Sequence, residues 1–194
     1  VTTIGERPVF SLVVGTTAVE RRLIPLSMIR ALSGLTEATI GDEALNLKTD
    51  AVLASVARSC RLAKAGSTPQ TLARETVRAV WPDASTYDYT WPQTWEPRGP
   101  RLILPWRAPI TSIEVTEDDV ELVEGTDFRL LAGGIIERLS GAWSNGEIDA
   151  TYTAGFITTP ADPSYDESEG DPLPADVVAL IADQVRLSIS QGKV

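Results

Sequence analysis

Asn145-Gly146-Glu147-Ile148-Asp149-Ala150-Thr151-Tyr152 opens on a turn dipeptide and then alternates apolar with polar side chains. Alternation with period two places one set of side chains on each face of an extended strand. Asn-Gly suits the positive φ that both central residues of a type I′ turn require, so the segment predicts a hairpin at 145–146 leading into a strand. Working back from it, Gly133-Gly134 marks a turn into Ile135-Ile136-Glu137-Arg138-Leu139. Before that come Phe128-Arg129-Leu130-Leu131, Val120-Glu121-Leu122-Val123, and an alternation carried by Ile110, Ile113 and Val115. Together these runs predict a strand-rich region from Leu102 to Phe156, arranged as a meander of short antiparallel strands.

Helical signals flank this region. Ser27 stands where an N-cap would, ahead of Met28, Ile29, Ala31 and Leu32, with Gly34 as a stop. Over Asp42–Ala65, Leu45, Val52, Leu53, Val56, Cys60 and Ala63 recur at helical spacing, Asp42 serving as cap and Gly66 as terminator. Cys60 on that stripe reads as a small core residue. Pro174 opens a last helix with Val177, Val178, Ile181, Val185 and Ile189 on one face and Gly192 near its end. Val9–Val14 is an edge strand or an extended arm, and periodicity leaves Gln70–Trp81 open between strand and helix. Pro82–Pro100, with Tyr87, Tyr89, Trp91 and Trp95 among prolines, is a loop whose aromatics cover a core or face a partner. Thr158–Pro172 is an acidic linker. The fold class is α+β: a small helical bundle with an inserted antiparallel β region and a C-terminal helix. In domains, residues 1–23 form an arm or edge strand and 24–157 the main domain, with helices at 27–33 and 43–65 and the β insertion at about 70–156. Residues 158–172 form the linker and 173–194 the last helix.

Composition narrows the chemistry. The 194 residues are 43% hydrophobic and 23% charged, as in a soluble globular chain, and no apolar run reaches membrane-span length. One cysteine excludes an internal disulfide and a cysteine-built zinc site. The absence of histidine removes the commonest general base and transition-metal ligand. A net charge of −10 argues against gripping a phosphate backbone and suits a surface that repels DNA. There is no GxGxxG, Walker A, GxSxG or metalloprotease signature. The acids of Glu114–Asp127 alternate with strand apolars as on a solvated sheet face, and those of Asp162–Asp171 lack the EF-hand order. The expectation is therefore a non-enzyme without cofactor or metal.

The order of pieces resembles the head–tail connector, or adaptor, proteins of long-tailed phages and related gene transfer agents. The resemblance covers roughly residues 24–190. It rests on Ile24-Pro25-Leu26 before a short helix, the acidic cap of the Leu45–Ala65 helix, Leu102-Ile103-Leu104-Pro105-Trp106, and Pro109-Ile110-Thr111-Ser112-Ile113 with Val115. It continues through Trp143, Gly146, Ile148, Ala150, Tyr152, Ala154 and Gly155, then Leu173-Pro174-Ala175-Asp176-Val177. The first 20 or so residues and the 82–100 loop are longer than the family pattern. The resemblance implies a dodecameric ring of this chain below the portal vertex, joining the portal protein to a stopper or tail terminator. DNA would pass through it without sequence-specific binding, at the neck of a virion assembled in the bacterial cytoplasm. It also implies that Gln70–Trp81 is a strand, with Arg74 and Glu75 facing opposite ways.

On that reading Val177, Ile181, Val185 and Ile189 dock the portal, and Glu114, Glu117, Asp118, Asp119 and Glu121 line the channel. Phe10, Val13, Trp91 and Trp95 are the expected subunit contacts, since a head-to-tail ring needs two complementary patches per copy. The competing expectations are another phage neck or tail-completion protein, or a carbohydrate-binding or carbohydrate-processing β protein. The latter would use Trp91, Trp95, Trp106 and Trp143 as sugar platforms beside paired carboxylates.

Overall fold

The computed structural model describes residues 10–14, 23–60, 71–83, 98–105, 109–158 and 170–191. In chain order these form β1 (Phe10–Val13), α1 (Leu26–Ser33), α2 (Asp42–Ser59), β2 (Glu75–Trp81), β3 (Arg101–Ile103) and β4 (Ile110–Glu117). There follow β5 (Val120–Leu122), β6 (Phe128–Leu131), β7 (Ile135–Arg138), β8 (Ile148–Ala154) and α3 (Ala175–Gln191). The α+β class expected from the sequence is what the chain adopts. Its contacts divide it into a β unit, holding all eight strands, and a helical unit, holding all three helices.

In the β unit, β8 is the central strand. Its apolar positions Ile148, Ala150, Tyr152 and Ala154 are all buried, while Asp149, Thr151 and Thr153 between them are half-exposed. The alternation quoted above thus faces inward on one side only. β2 does the same with Val77, Ala79 and Trp81, which settles Gln70–Trp81 as strand from Glu75 onward. One antiparallel sheet runs β1-β2-β8-β4-β5, and a second runs β3-β7-β6. Adjacent strands in sequence are therefore not all neighbours, and the arrangement is not the simple meander expected. Only β4–β5 and β6–β7 are sequential hairpins. After β7 the chain leaves the three-stranded sheet and inserts β8 between β2 and β4.

That crossing corrects the turn assignment. Neither Asn145 nor Gly146 has positive φ. The strand before them lies in the other sheet, so no tight hairpin is needed there. The positive-φ pair is Asp118 and Asp119, at 52° and 62°, between the paired residues Glu117 and Val120. Aspartate tolerates the left-handed region because its short carboxylate bonds locally.

In the helical unit, α3 packs against both α1 and α2. It buries Val178, Ile181, Ala182 and Val185 against a core that includes Ile29, Leu45, Leu53 and Ala57. Leu23 and Ile24, just ahead of α1, are also buried. Several local expectations shift. α1 begins one residue before Ser27 and is entered from Pro25 in extended geometry. Of its expected apolar face only Ile29 is buried, and Leu32 is exposed. Asp42 is the first residue of α2, not its cap; its carboxylate takes the Arg30 guanidinium. The buried stripe of α2 is Leu45, Thr49, Leu53 and Ala57, with the Thr49 hydroxyl donating to the Leu45 carbonyl at 2.8 Å. Cys60 is exposed, contrary to the core reading: it lies past the end of the helix, beyond Ala57, the last residue that the other helices cover.

Gly155 follows β8 at φ +117°, where a Cβ would stand 2.4 Å from the Ala73 carbonyl oxygen. Phe156 beside it exchanges backbone bonds with Leu72 and Arg74. Two substitutions on one helix separate core from surface. Ile181→Ala is expected to cost about 2–5 kcal/mol, while Leu180→Ala, on a side chain 52% exposed, costs under ~1 kcal/mol. Urea unfolding followed by circular dichroism at 222 nm measures both.

Candidate functional site

Five acids were expected to act together, and the β4–β5 hairpin divides them. Glu114 is exposed on β4, and Glu121 is exposed on β5 opposite Thr116. Glu114 and Thr116 lie two apart on β4, so Glu114 and Glu121 share the outer face of the sheet. Asp119 projects from the turn and is exposed. None of these three carboxylates has a cation among the described residues. Glu117 and Asp118 are used internally. Glu117 accepts the Ser144 N–H at 2.6 Å and pairs with Arg138 at 3.1 Å. Asp118 accepts the Ser144 hydroxyl at 2.9 Å and donates its own N–H to the Glu147 carbonyl. Gly146 lies so close that a Cβ there would overlap the Asp118 carboxylate. The motif glycine therefore serves close approach, not turn geometry.

Apart from Val80, the rest of the outer face on β2, β8 and β4 is polar and mostly uncharged. Thr76, Thr151, Thr153, Ser112 and Thr116 lie on it by register, with Arg78 bonded to Asp149. That bond holds the Arg78 guanidinium above its ordinary pKa. On the three-stranded sheet, Glu137 accepts from Arg101 at 2.8 Å and from Arg129 at 2.6 Å. The bonds from Arg101 and then Arg129 hold its carboxyl below the usual carboxylate range.

Two arginines that serve the fold, Arg98 buried and Arg138 partly so, had no signal in the sequence. Arg98, 8% exposed, donates to the carbonyls of Ser144 (3.2 Å), Gly146 (2.5 Å) and Pro82 (2.6 Å). Arg138 on β7 reaches Glu117 on β4, donates to the Asp127 carbonyl at 2.8 Å, and lies over the Trp143 ring at 5.7 Å. Trp143 is 2% exposed and donates its Nε1–H to the Pro100 carbonyl at 3.0 Å. It is a core residue and offers no platform to a sugar. Trp91, Trp95 and Trp106 lie outside the described residues, as does most of Asp162–Asp171. Among the described residues no group of three or more His, Cys, Asp or Glu is placed to hold a metal ion, and no helix is long and apolar enough to cross a membrane.

A scan against protein-family models finds no match, and a search of curated proteins finds none either. The site is therefore read from its own geometry.

The expected docking residues separate as the acids do. Ile181 and Val185 are fully buried in the helical unit, and Val177 and Ile189 are half-buried at its rim. The apolar side chains that α3 turns outward are Leu180 and Leu187, 52% and 43% exposed. An α3 peeled away for docking would open the bundle, so removing residues 173–194 is expected to unfold the helical unit. Of the expected subunit contacts, Phe10 and Val13 lie in β1 at the sheet edge.

Arg138→Ala leaves Glu117, whose side chain is 11% exposed, without its cation, and is expected to cost about 3–5 kcal/mol. Arg129→Ala, at a pair whose arginine is 56% exposed, costs under ~1 kcal/mol by the same urea titration. Glu137 also sets a pH dependence. Its folded pKa lies below its unfolded one, so its contribution is fully present above the ordinary carboxylate range and is lost as pH falls below that range through the folded pKa. Urea midpoints of the native chain and Glu137→Gln are expected to differ at pH 7 and to draw together only as pH falls below the ordinary carboxylate range.

Proposed function

We propose that this chain is a head–tail adaptor subunit, a structural component that works as one copy in a ring joining a portal protein to a stopper or tail. The observation that supports this most is architectural. Short helix, long helix, antiparallel β insertion and C-terminal helix follow one another in the order the resemblance implies, over the same span of roughly 24–190. The chain would be located in the neck of the particle.

The geometry refines which residues carry the role. Glu114, Asp119 and Glu121 are the acids available to a DNA conduit, since Glu117 and Asp118 are spent on the fold. An acidic wall repels phosphate, so duplex slides past it; a basic wall would hold it. For the portal, the reachable surface of α3 is Leu180 and Leu187 with the rim residues Val177 and Ile189. Each contact is small, and repetition around a ring makes the joint strong.

Electron microscopy of the purified chain, alone and mixed with the portal protein of its particle, tests the reading. Rings in either sample are the expected result; their absence from both overturns it. Leu180→Asp combined with Leu187→Asp is expected to keep the fold, by circular dichroism, and to weaken co-sedimentation with the portal at least tenfold. Unchanged co-sedimentation removes α3 from the portal contact.

A further inference from the structure

Among the described residues the five-stranded sheet ends in two open edges, and they are unlike each other. At one end β1 has β2 on one side only. At the other end β5 covers β4 only over Val115–Glu117. The first part of β4, Ile110–Glu114, pairs with β8 on its inner side and with no strand among the described residues on its outer side. An uncovered strand edge presents backbone N–H and C=O groups in a row, ready to pair with another extended chain.

We infer that β1 of one copy adds to the open stretch of β4 in the next, so that neighbouring copies share a continuous sheet. The inference rests on the ring proposed above. Three features of the chain support it. First, direction fits: β1 is antiparallel to β2, β2 to β8 and β8 to β4, so β1 of a second copy, continuing the sheet, meets β4 antiparallel. Second, length fits, since four residues of β1 face the open stretch of β4 before β5 begins. Third, a groove of about 270 Å³ lies at the start of that stretch, lined by Pro109, Ile110, Leu130, Leu131 and Ala132. Three of the four residues of β1 are apolar.

The contact is heterologous: a β1 edge on one copy meets a β4 edge on the next. Such contacts leave one free edge of each kind at every step until a ring closes. A partner protein supplying its own strand would instead leave the copies unlinked to one another.

Cysteine cross-linking distinguishes these outcomes. In full-length protein with Cys60→Ser, Ser11→Cys is combined with Thr111→Cys, or Leu12→Cys with Ser112→Cys, Leu12 and Ser112 both lying on the outer face by register and Thr111 and Ser112 being exposed on β4. The samples are oxidised alone and with the portal protein, and run on non-reducing gels beside grids of the same preparations. Ring-containing samples are expected to give a ladder of cross-linked multimers that the single-cysteine parents lack. Rings without a ladder from either pair overturn this inference and leave the adaptor reading standing. No rings with or without portal overturns both.

Discussion

The β unit depends on a constraint that sits between strands. After β7 the chain must leave one sheet and deliver β8 to the middle of the other. The connecting backbone, residues 139–147, has no ladder to satisfy its polar groups; it is exposed at 139–142 and 147 but runs inward at 143–146, where peptide groups left without partners are costly. Arg98 answers this by donating to Ser144 and Gly146 from one side and to Pro82 at the end of β2 from the other. Glu117 and Asp118 take the Ser144 N–H and hydroxyl, and Arg138 ties Glu117 back to the strand from which the chain departed. With that connection fixed, β8 lies in register with β2 and β4, and its four buried side chains form the core of the sheet.

This is also where sequence reading reached its limit. Strands and helices were legible because each carries its own period: β8, β2, α2 and α3 bury side chains at spacings visible in the chain itself. Topology was not, since nothing in the local pattern of Ile148–Ala154 says which strands lie beside it. Asn145-Gly146 predicted a hairpin from local propensity alone, and long-range packing assigned the glycine another task. Arg98 and Arg138 were invisible for a related reason. A buried arginine looks like a solvated one until the carbonyls and carboxylates it serves are brought near by folding. Cys60 fails in the opposite sense, its position on an apolar stripe being no guarantee of a neighbour to cover it.

The candidate site was half legible. The acidic run was seen, but not that the turn would convert two of its carboxylates into structural acceptors and leave Glu114, Asp119 and Glu121 outside. The C-terminal helix was seen as amphipathic, and amphipathicity does not say what covers the apolar face. The helical unit covers it, and the side of α3 left exposed is the opposite one, with Leu180 and Leu187.

The division into two units that interleave along the chain has a consequence for synthesis. As the polypeptide emerges from the ribosome, α1 and α2 appear early but lack the helix that completes their core until α3 follows, more than a hundred residues later. β1 likewise waits for β2, and β2 and β4 wait for β8 to come between them. Neither unit closes until the β8 and α3 segments have left the exit tunnel, so apolar faces and strand edges stay uncovered until then. Contacts this distant in sequence fold slowly and leave a nascent chain open to mispairing. Nascent copies made side by side on one message would meet with those edges exposed, which makes chaperone demand a property of this topology.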